Sequence, residues 1–457
     1  MKQFKGKFIY YCISLILIIN LNVAFAQQAK VVSSYGPVNQ DVSFDQIKAE
    51  RMKVKADRAK EHNDLLNGRY NLAKKTSTDV FMSGGKPIPV GPTANLQGIT
   101  WEDLDKLTPE QIKLKGIFPY KPLPFADHTE GGMLFPPMIT DTLPRLVRFD
   151  LDFDLPEHIL PDQAPPIYLT TRPDLGDVSQ GRIITIDNYY EIFNGILNPK
   201  QLEGLRLLVT QFPQQQFNAT ADRRTDRPSL GVACFDCHVN GHTNGANHLV
   251  GDMRPQEFRH RIETPSLRGV NIQQLFGSQR GLKTIEDFTE FEQRAAYFDG
   301  DHVMAAKKGV NVLDRGSQVH FMAEFQSILG FPPAPKLDIY GELDKTKASP
   351  EELQGEAIFN GKGRCADCHP APYYTDNTMH NLKAERFYKQ EMVNGMMMAH
   401  DGMIKTFPLR GIKDSPPYLH DGRCFTLEDV VEYFNLVQQL HLTSQEKASL
   451  VAFMRVL

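Results

Sequence analysis

A chain of 457 residues exceeds one small domain and points to two or three cores of ordinary size. Its composition, 41% apolar and 23% charged, is that of a soluble globular protein, and a net charge of -4 spread over so large a surface implies no nucleic-acid partner. After residue 29 no apolar run is long enough to span a bilayer.

The first element is a leader. Lys2, Lys5 and Lys7 form a basic start, an apolar run follows from Phe8 to Phe25, and Ala24 and Ala26 supply a small-residue cleavage pattern, so residues 1–26 read as a secretory signal peptide and the mature chain as periplasmic. An uncleaved anchor is the alternative, because the uncharged run reaches Ala29. Cleavage removes the three lysines and takes the charge from -4 to -7. Cys12 sits in the apolar run and is assigned no chemistry.

Residues 27–190 are rich in proline and aromatic side chains, with few long periodic segments, and yield no chemical reading. Leu107-Thr-Pro-Glu-Gln111 predicts a short helix and Arg182 to Ile186 a strand. Trp101, the only tryptophan, is read as a packing residue because large aromatics fill cores.

From Asn198 the pattern becomes helical. Asn198-Pro199-Lys200-Gln201 combines an N-cap, a proline at the first helical position and a glutamine at the third, opening a helix to about Val209. Ser349-Pro350-Glu351-Glu352 repeats the device, Thr426-Leu-Glu-Asp429 caps a segment with Leu427, Val430, Val431 and Phe434 at helical spacing, and Thr443-Ser-Gln-Glu446 starts the last helix.

The cysteines carry the chemistry. Four of the five beyond the leader fall into identical settings, Cys234-Phe-Asp-Cys237-His238 and Cys365-Ala-Asp-Cys368-His369. Cys-x-x-Cys-His is the c-type haem attachment pattern: two thiols about a turn apart each form a thioether with one haem, and the adjacent imidazole ligates the iron. Zinc ribbons pair their cysteines at shorter knuckle spacing, and a thioredoxin-like pair gives no reason for histidine in both copies. The expected cofactors are two covalently bound c-type haems, attached at Cys234, Cys237, Cys365 and Cys368, with His238 and His369 as iron ligands. Cys424, beside Phe425 and Leu427, is expected to be buried.

A duplication organises this half of the chain. A constant shift of 142 carries Leu267, Arg268 and Gly269 onto Leu409, Arg410 and Gly411, and Thr284, Glu286, Asp287 and Glu290 onto Thr426, Glu428, Asp429 and Glu432. Each unit reads as helix, motif, long loop, Leu-Arg-Gly turn and helix, with Pro332, Pro333 and Pro335 between them. The fold class is therefore mainly α: two tandem cytochrome c-like haem domains, 191–335 and 336–457, preceded by an irregular N-terminal region, 27–190.

The stretch Phe407-Pro-Leu-Arg-Gly-Ile-Lys-Asp-Ser-Pro-Pro-Tyr-Leu-His-Asp-Gly-Arg423, followed by Thr426-Leu-Glu-Asp-Val-Val, resembles the C-terminal signature of bacterial di-haem cytochrome c peroxidases and of the related enzymes that mature a tryptophan-derived quinone cofactor. Tyr374-Thr-Asp-Asn-Thr-Met-His-Asn381 fits as well. The resemblance covers roughly residues 190 to 457 and is looser in the first unit. It implies that His369 serves a haem receiving electrons from a small donor protein, a cytochrome c or a copper protein, and that His238 serves the haem where hydrogen peroxide is reduced.

Departures from the family pattern leave alternatives open. Where the peroxidases supply an axial methionine and related enzymes a tyrosine, this chain has Phe434, with Tyr433 one residue away. Met379, Met392, Met396, Met397, Met398, Met403, His380 and His420 remain candidates, His420 being favoured for a hydrogen bond at the haem edge. In the first unit Phe276-Gly-Ser-Gln-Arg280 replaces an aromatic-Asp-Gly-Arg turn, and the acid-base carboxylate falls among Glu286, Glu290, Glu292 and Asp299. His242, His248 and His260 are possible sixth ligands, each more often an ordinary hydrogen-bonded residue. Arg268 and Arg410 suit either haem propionates or contacts within their turns. The rival functions are a non-enzymatic electron carrier and a di-haem oxidase of another substrate.

Overall fold

The structure is a computed structural model that describes residues 44–121, 133–134, 157–160, 164–211, 233–245, 247–248, 262–277, 279–292, 316–390, 392–393, 396–397 and 401–457. The proposed leader with Cys12, and His260, Asp299 and Met398, lie outside these residues. Helices predominate and the strands are short, in line with the expected α class.

The N-terminal region is more regular than its composition predicts. It opens with α1 (Phe44–Arg69, 26 residues), whose Lys, Glu, Ala and Arg residues favour helix without marking an apolar stripe. At its end Leu66 and Tyr70 enter the core. Strands β1 (Thr76–Phe81) and β2 (Pro87–Pro89) pair antiparallel. The short helix predicted near Leu107 is α2 (Pro109–Lys115), closed in front by a Thr108–Gln111 capping box and behind by Gly116 at φ 66°. Trp101 packs edge-on against Phe118, ring centroids 5.5 Å apart. The strand expected at Arg182 to Ile186 does not form. Side-chain amides take its backbone groups instead: Asn240 accepts from the Ile184 N–H and donates to the Arg182 carbonyl, while Asn188 accepts from the Thr185 N–H.

This region is bound to the far end of the chain. The Tyr70 hydroxyl donates to the Arg423 carbonyl at 2.7 Å, and its ring stacks on Phe425 at 4.1 Å. Asp429 accepts from both the backbone N–H and the hydroxyl of Thr93, at 2.8 and 2.7 Å.

Strand β3 (Tyr168–Leu169), from the N-terminal region, leads into the first unit, which comprises α3 (Pro199–Leu208), β4 (Ile262–Glu263), α4 (Ile285–Phe291), α5 (Gly316–Gln326) and β5 (Leu329–Gly330), with β3 pairing antiparallel to β5. Ile167, Leu169, Phe193, Leu205, Met322 and Phe325 belong to its core. The second unit comprises α6 (Pro350–Asn360), β6 (Met379–Asn381), β7 (Met403–Lys405), α7 (Leu427–Gln438) and α8 (Ser444–Met454), and its core mixes Phe359, Val431 and Phe453 with Tyr70 and Phe118 from the N-terminal region. Each fully buried Leu or Phe is worth roughly 1.5–3 kcal/mol against exposure, which pins these helices together.

The duplication is visible in backbone geometry. Asn198, Ser349, Thr426 and Thr443 all form the predicted capping boxes. Gly269 and Gly411 adopt matching left-handed conformations, φ 71°, ψ 20° and φ 72°, ψ 18°, which glycine enters without a Cβ penalty. A Cβ at Gly204 of α3 would fall on the Phe321 carbonyl of α5, and one at Gly355 of α6 on the Ser449 carbonyl of α8. Glycine thus brings the paired helices of both units to backbone contact. Among the described residues no helix is long and apolar enough to cross a membrane.

Candidate functional site

Each Cys-x-x-Cys-His segment winds into one tight turn. Cys234–Cys237 forms a single helical turn whose Asp236 carboxylate accepts from the Ala233 N–H at 2.8 Å. Cys365–Asp367 forms a 3-10 turn entered through Arg364 at φ 54°. In both, the histidine N–H reaches back to the carbonyl of the first cysteine, His238 to Cys234 at 2.9 Å and His369 to Cys365 at 2.8 Å.

The two imidazoles are held alike. His238 Nδ1 lies 2.8 Å from the Pro265 carbonyl and His369 Nδ1 2.8 Å from the Tyr374 carbonyl. A carbonyl only accepts, so Nδ1 carries the proton in each ring and the lone pair rests on Nε2. Burial pushes His238 down to about 4 and holds His369 below the usual histidine value, so both rings are neutral near pH 7. Neutral imidazole is the form that ligates a metal. Burial raises the Cys237 thiol and pushes that of Cys365 up to about 12, so they are protonated rather than thiolate. Among the described residues no three His, Cys, Asp or Glu side chains are grouped as a metal-ion cluster, and the motifs do not merge into one shared metal site.

Both motifs open on one cavity of about 710 Å³, with His238 and His369 in its walls. Its lining is largely apolar, including Leu267, Phe276, Leu409, Val431 and Phe434. Neutral imidazoles with Nε2 lone pairs, paired thiols and an apolar cleft fit a macrocycle held by covalent attachment and one axial nitrogen.

The remaining candidates separate clearly. His242 is engaged on both nitrogens, Nδ1 with the Ser266 hydroxyl at 2.8 Å and Nε2 with the Asp414 carbonyl at 3.0 Å, a structural placement rather than that of a ligand. Arg268 donates to Asp414 at 2.7 Å and to the Pro166 carbonyl at 2.9 Å, while its buried Nε has no partner among the described residues. Arg410 donates to the Leu457 carbonyl at 3.0 Å and lies over the Phe331 ring. His380 binds Asp376 at 2.7 Å, and both His380 and His420 line the cavity. Tyr433 and Phe434 line it together, so a one-residue register difference does not remove either from it. Met379 lies in β6 and Met403 in β7, the latter half exposed, while Met392, Met396 and Met397 fall on short backbone strands. Of the acids, Glu286 faces His320 and Glu292 lines the cavity. The strand Asn247–His248 pairs with β4. Cys424 is fully buried, as expected.

Three cavity or junction residues escaped the sequence reading. Asp414 joins the units through Arg268, and Glu263 and Lys405 line the cavity. The 142-residue shift held a signal for the last two, because it places one directly on the other.

No family model matches the chain. It is similar to the cytochrome c551 peroxidase of Nitrosomonas europaea at 29% identity over 143 residues, 30% of this chain and 42% of that protein. It is also similar to the cytochrome-c peroxidase IdrP2 of Denitromonas iodatirespirans at 24% over 282 residues, 50% and 76% of the two chains. The methylamine utilization protein MauG of Methylorubrum extorquens is 28% identical over 150 residues, 30% of this chain and 42% of that one. Against the first and third of these relatives the match spans less than half of their length.

Proposed function

We propose that this chain, similar to bacterial cytochrome c peroxidases and to MauG over part of its length, is an exported, periplasmic di-haem c-type cytochrome that reduces hydrogen peroxide with electrons from a small cytochrome c or copper protein. The observation that carries the reading is the matched pair of imidazoles, each fixed through Nδ1 on a backbone carbonyl at 2.8 Å within the wall of one cavity. Residues 191–335 and 336–457 are the two cytochrome c-like domains, and 27–190 form an N-terminal region whose Tyr70 and Phe118 pack with the second core and whose Ile167 and Leu169 pack with the first. Cys234 and Cys237 hold one haem and Cys365 and Cys368 the other, with His238 and His369 as proximal ligands. When bound, the haems supply the redox chemistry.

The protein's own part is to orient, shield and hold protons. Pro265 and Tyr374 fix the ring planes of the ligating histidines through their carbonyls. The apolar walls exclude water, which strengthens every charge left inside. Glu263 lines the same cavity and accepts from the Thr243 hydroxyl at 3.0 Å, and desolvation raises its carboxyl well above the usual range. At the second site Tyr433 is the group with a ligating oxygen where Phe434 has none.

Phe434 in the cavity wall favours a second reading, an electron carrier whose irons react with nothing. One experiment separates the two. Protein produced with cytochrome maturation is reduced stepwise and mixed with peroxide and a reduced donor. Peroxide-dependent donor oxidation, with a high-spin signal after one electron, supports the peroxidase; two low-spin haems indifferent to peroxide would overturn it.

A further inference from the structure

The shift of 142 that superposes Arg268 on Arg410 also superposes Glu263 on Lys405, each immediately preceding the threonine that leads into its Leu-Arg-Gly turn. Equivalent positions of the duplication thus carry opposite charges. Both end a short strand, Glu263 in β4 and Lys405 in β7, and both line the cavity shared by the two motifs.

Neither is paired with its opposite among the described residues. Lys405 is 2% exposed, and its ammonium donates to Gln273 Oε1 at 3.0 Å and to the Leu275 carbonyl at 2.7 Å, both neutral. It also lies 5.5 Å from the ring centroid of Phe276 and 5.4 Å from that of Phe407, so aromatic faces of both units flank it. Glu263 has the Thr243 hydroxyl, and its backbone N–H donates to the His420 carbonyl. Desolvation works against the charge of each, lowering Lys405 to about 8 and raising Glu263. A desolvated charge without a counter-charge is costly, so ion-pair stability accounts for neither residue. Each does set the potential inside the cavity.

We propose that Glu263 and Lys405 are a charge-swapped pair that makes the two haem sites electrostatically unequal, the lysine favouring the reduced state of the haem that would lie nearer to it and the acid, when ionised, favouring the oxidised state. This rests on the di-haem reading above. Adding an electron to an iron lowers the charge of its site by one, and a neighbouring cation stabilises that change while an anion opposes it. A unit charge about 10 Å away, at an effective dielectric of about 20, shifts a one-electron equilibrium by about tenfold or more. Neither residue is cast as catalytic; both act through the haem environment.

The test is a spectroscopic redox titration of holoprotein, with haem content measured on every sample. Lys405→Gln is expected to lower one midpoint by about tenfold in the reduction equilibrium, about 59 mV for one electron. Lys405→Arg, which keeps the charge, should stay near wild type, and Glu263→Lys should raise a midpoint by at least tenfold whatever the ionisation of the original acid. The gap between the two haems therefore changes. If Lys405→Gln does not accumulate, Lys405→Met supplies the neutral variant. Fully loaded Lys405→Gln or Lys405→Met and Glu263→Lys proteins with both midpoints within threefold of wild type would overturn the proposal while leaving the di-haem reading intact. Protein without covalent haem overturns both.

Discussion

Removing the Asp414 carboxylate should loosen the junction between the two units. Arg268 and Asp414 meet at 2.7 Å with side chains only 5% and 4% exposed, and Asp414 also accepts from the Ser83 N–H at 2.8 Å. Asp414→Ala leaves a buried guanidinium without its counter-charge, for which breaking a buried pair costs roughly 3–5 kcal/mol. Each kcal/mol moves Tm by roughly 2–4 °C in a cooperative unit of 150–250 residues, so calorimetry should record a fall of roughly 6 °C or more. The double variant Arg268→Met, Asp414→Leu removes both charges together and should melt above Asp414→Ala alone. There is a pH signature as well. Burial by itself would raise the Asp414 carboxyl, but Arg268, helped by His242 and Ser83, outweighs it and holds the group below its usual range. A depressed folded value means that this stabilisation is complete above about pH 4, the ordinary aspartate range, and is lost as pH falls through the folded value. Asp414→Ala should therefore show less acid destabilisation than wild type. A double variant that melts no higher than Asp414→Ala would refute the coupling.

His238→Ala and His369→Ala should each change the absorption of one haem while thioether attachment persists, measured by spectra of native and denatured protein; an unchanged spectrum removes that residue as ligand. His242→Ala should leave both haem spectra as they are while costing about 1–3 kcal/mol for the lost contacts to Ser266 and Asp414, read by urea unfolding; an altered spectrum would make it a ligand. Gly355→Ala should cost about 1–3 kcal/mol in the same assay, because its methyl would land on the Ser449 carbonyl, and a neutral result would mean that α6 and α8 separate without penalty.

Local signals were legible and distant ones were not. The capping boxes at Asn198, Ser349, Thr426 and Thr443 are decided within four residues, and each forms as the sequence predicts. The Leu-Arg-Gly turns are equally local, since a left-handed residue there selects glycine. Helix α1 escaped notice because periodicity reads apolar stripes, whereas this helix rests on propensity. Arg182 to Ile186 has the residues of a strand, but Asn240, more than fifty positions away, claims its hydrogen bonds. The partner of Arg268 was equally hidden, being 146 positions distant. Within the site, the motifs marked His238 and His369, which line the cavity and are held alike, and the repeat marked their equivalence. Which polar groups face the cavity was set by tertiary folding.

The N-terminal clasp on the last two helices has a consequence for biogenesis. Tyr70 waits for a partner 353 positions later and Thr93 for one 336 positions later. A chain delivered from its amino end therefore exposes Tyr70, Phe118 and their neighbours well before Phe425 and Asp429 emerge, and closing such long loops is slow. Both Cys-x-x-Cys-His segments emerge within that interval, before the clasp can shut.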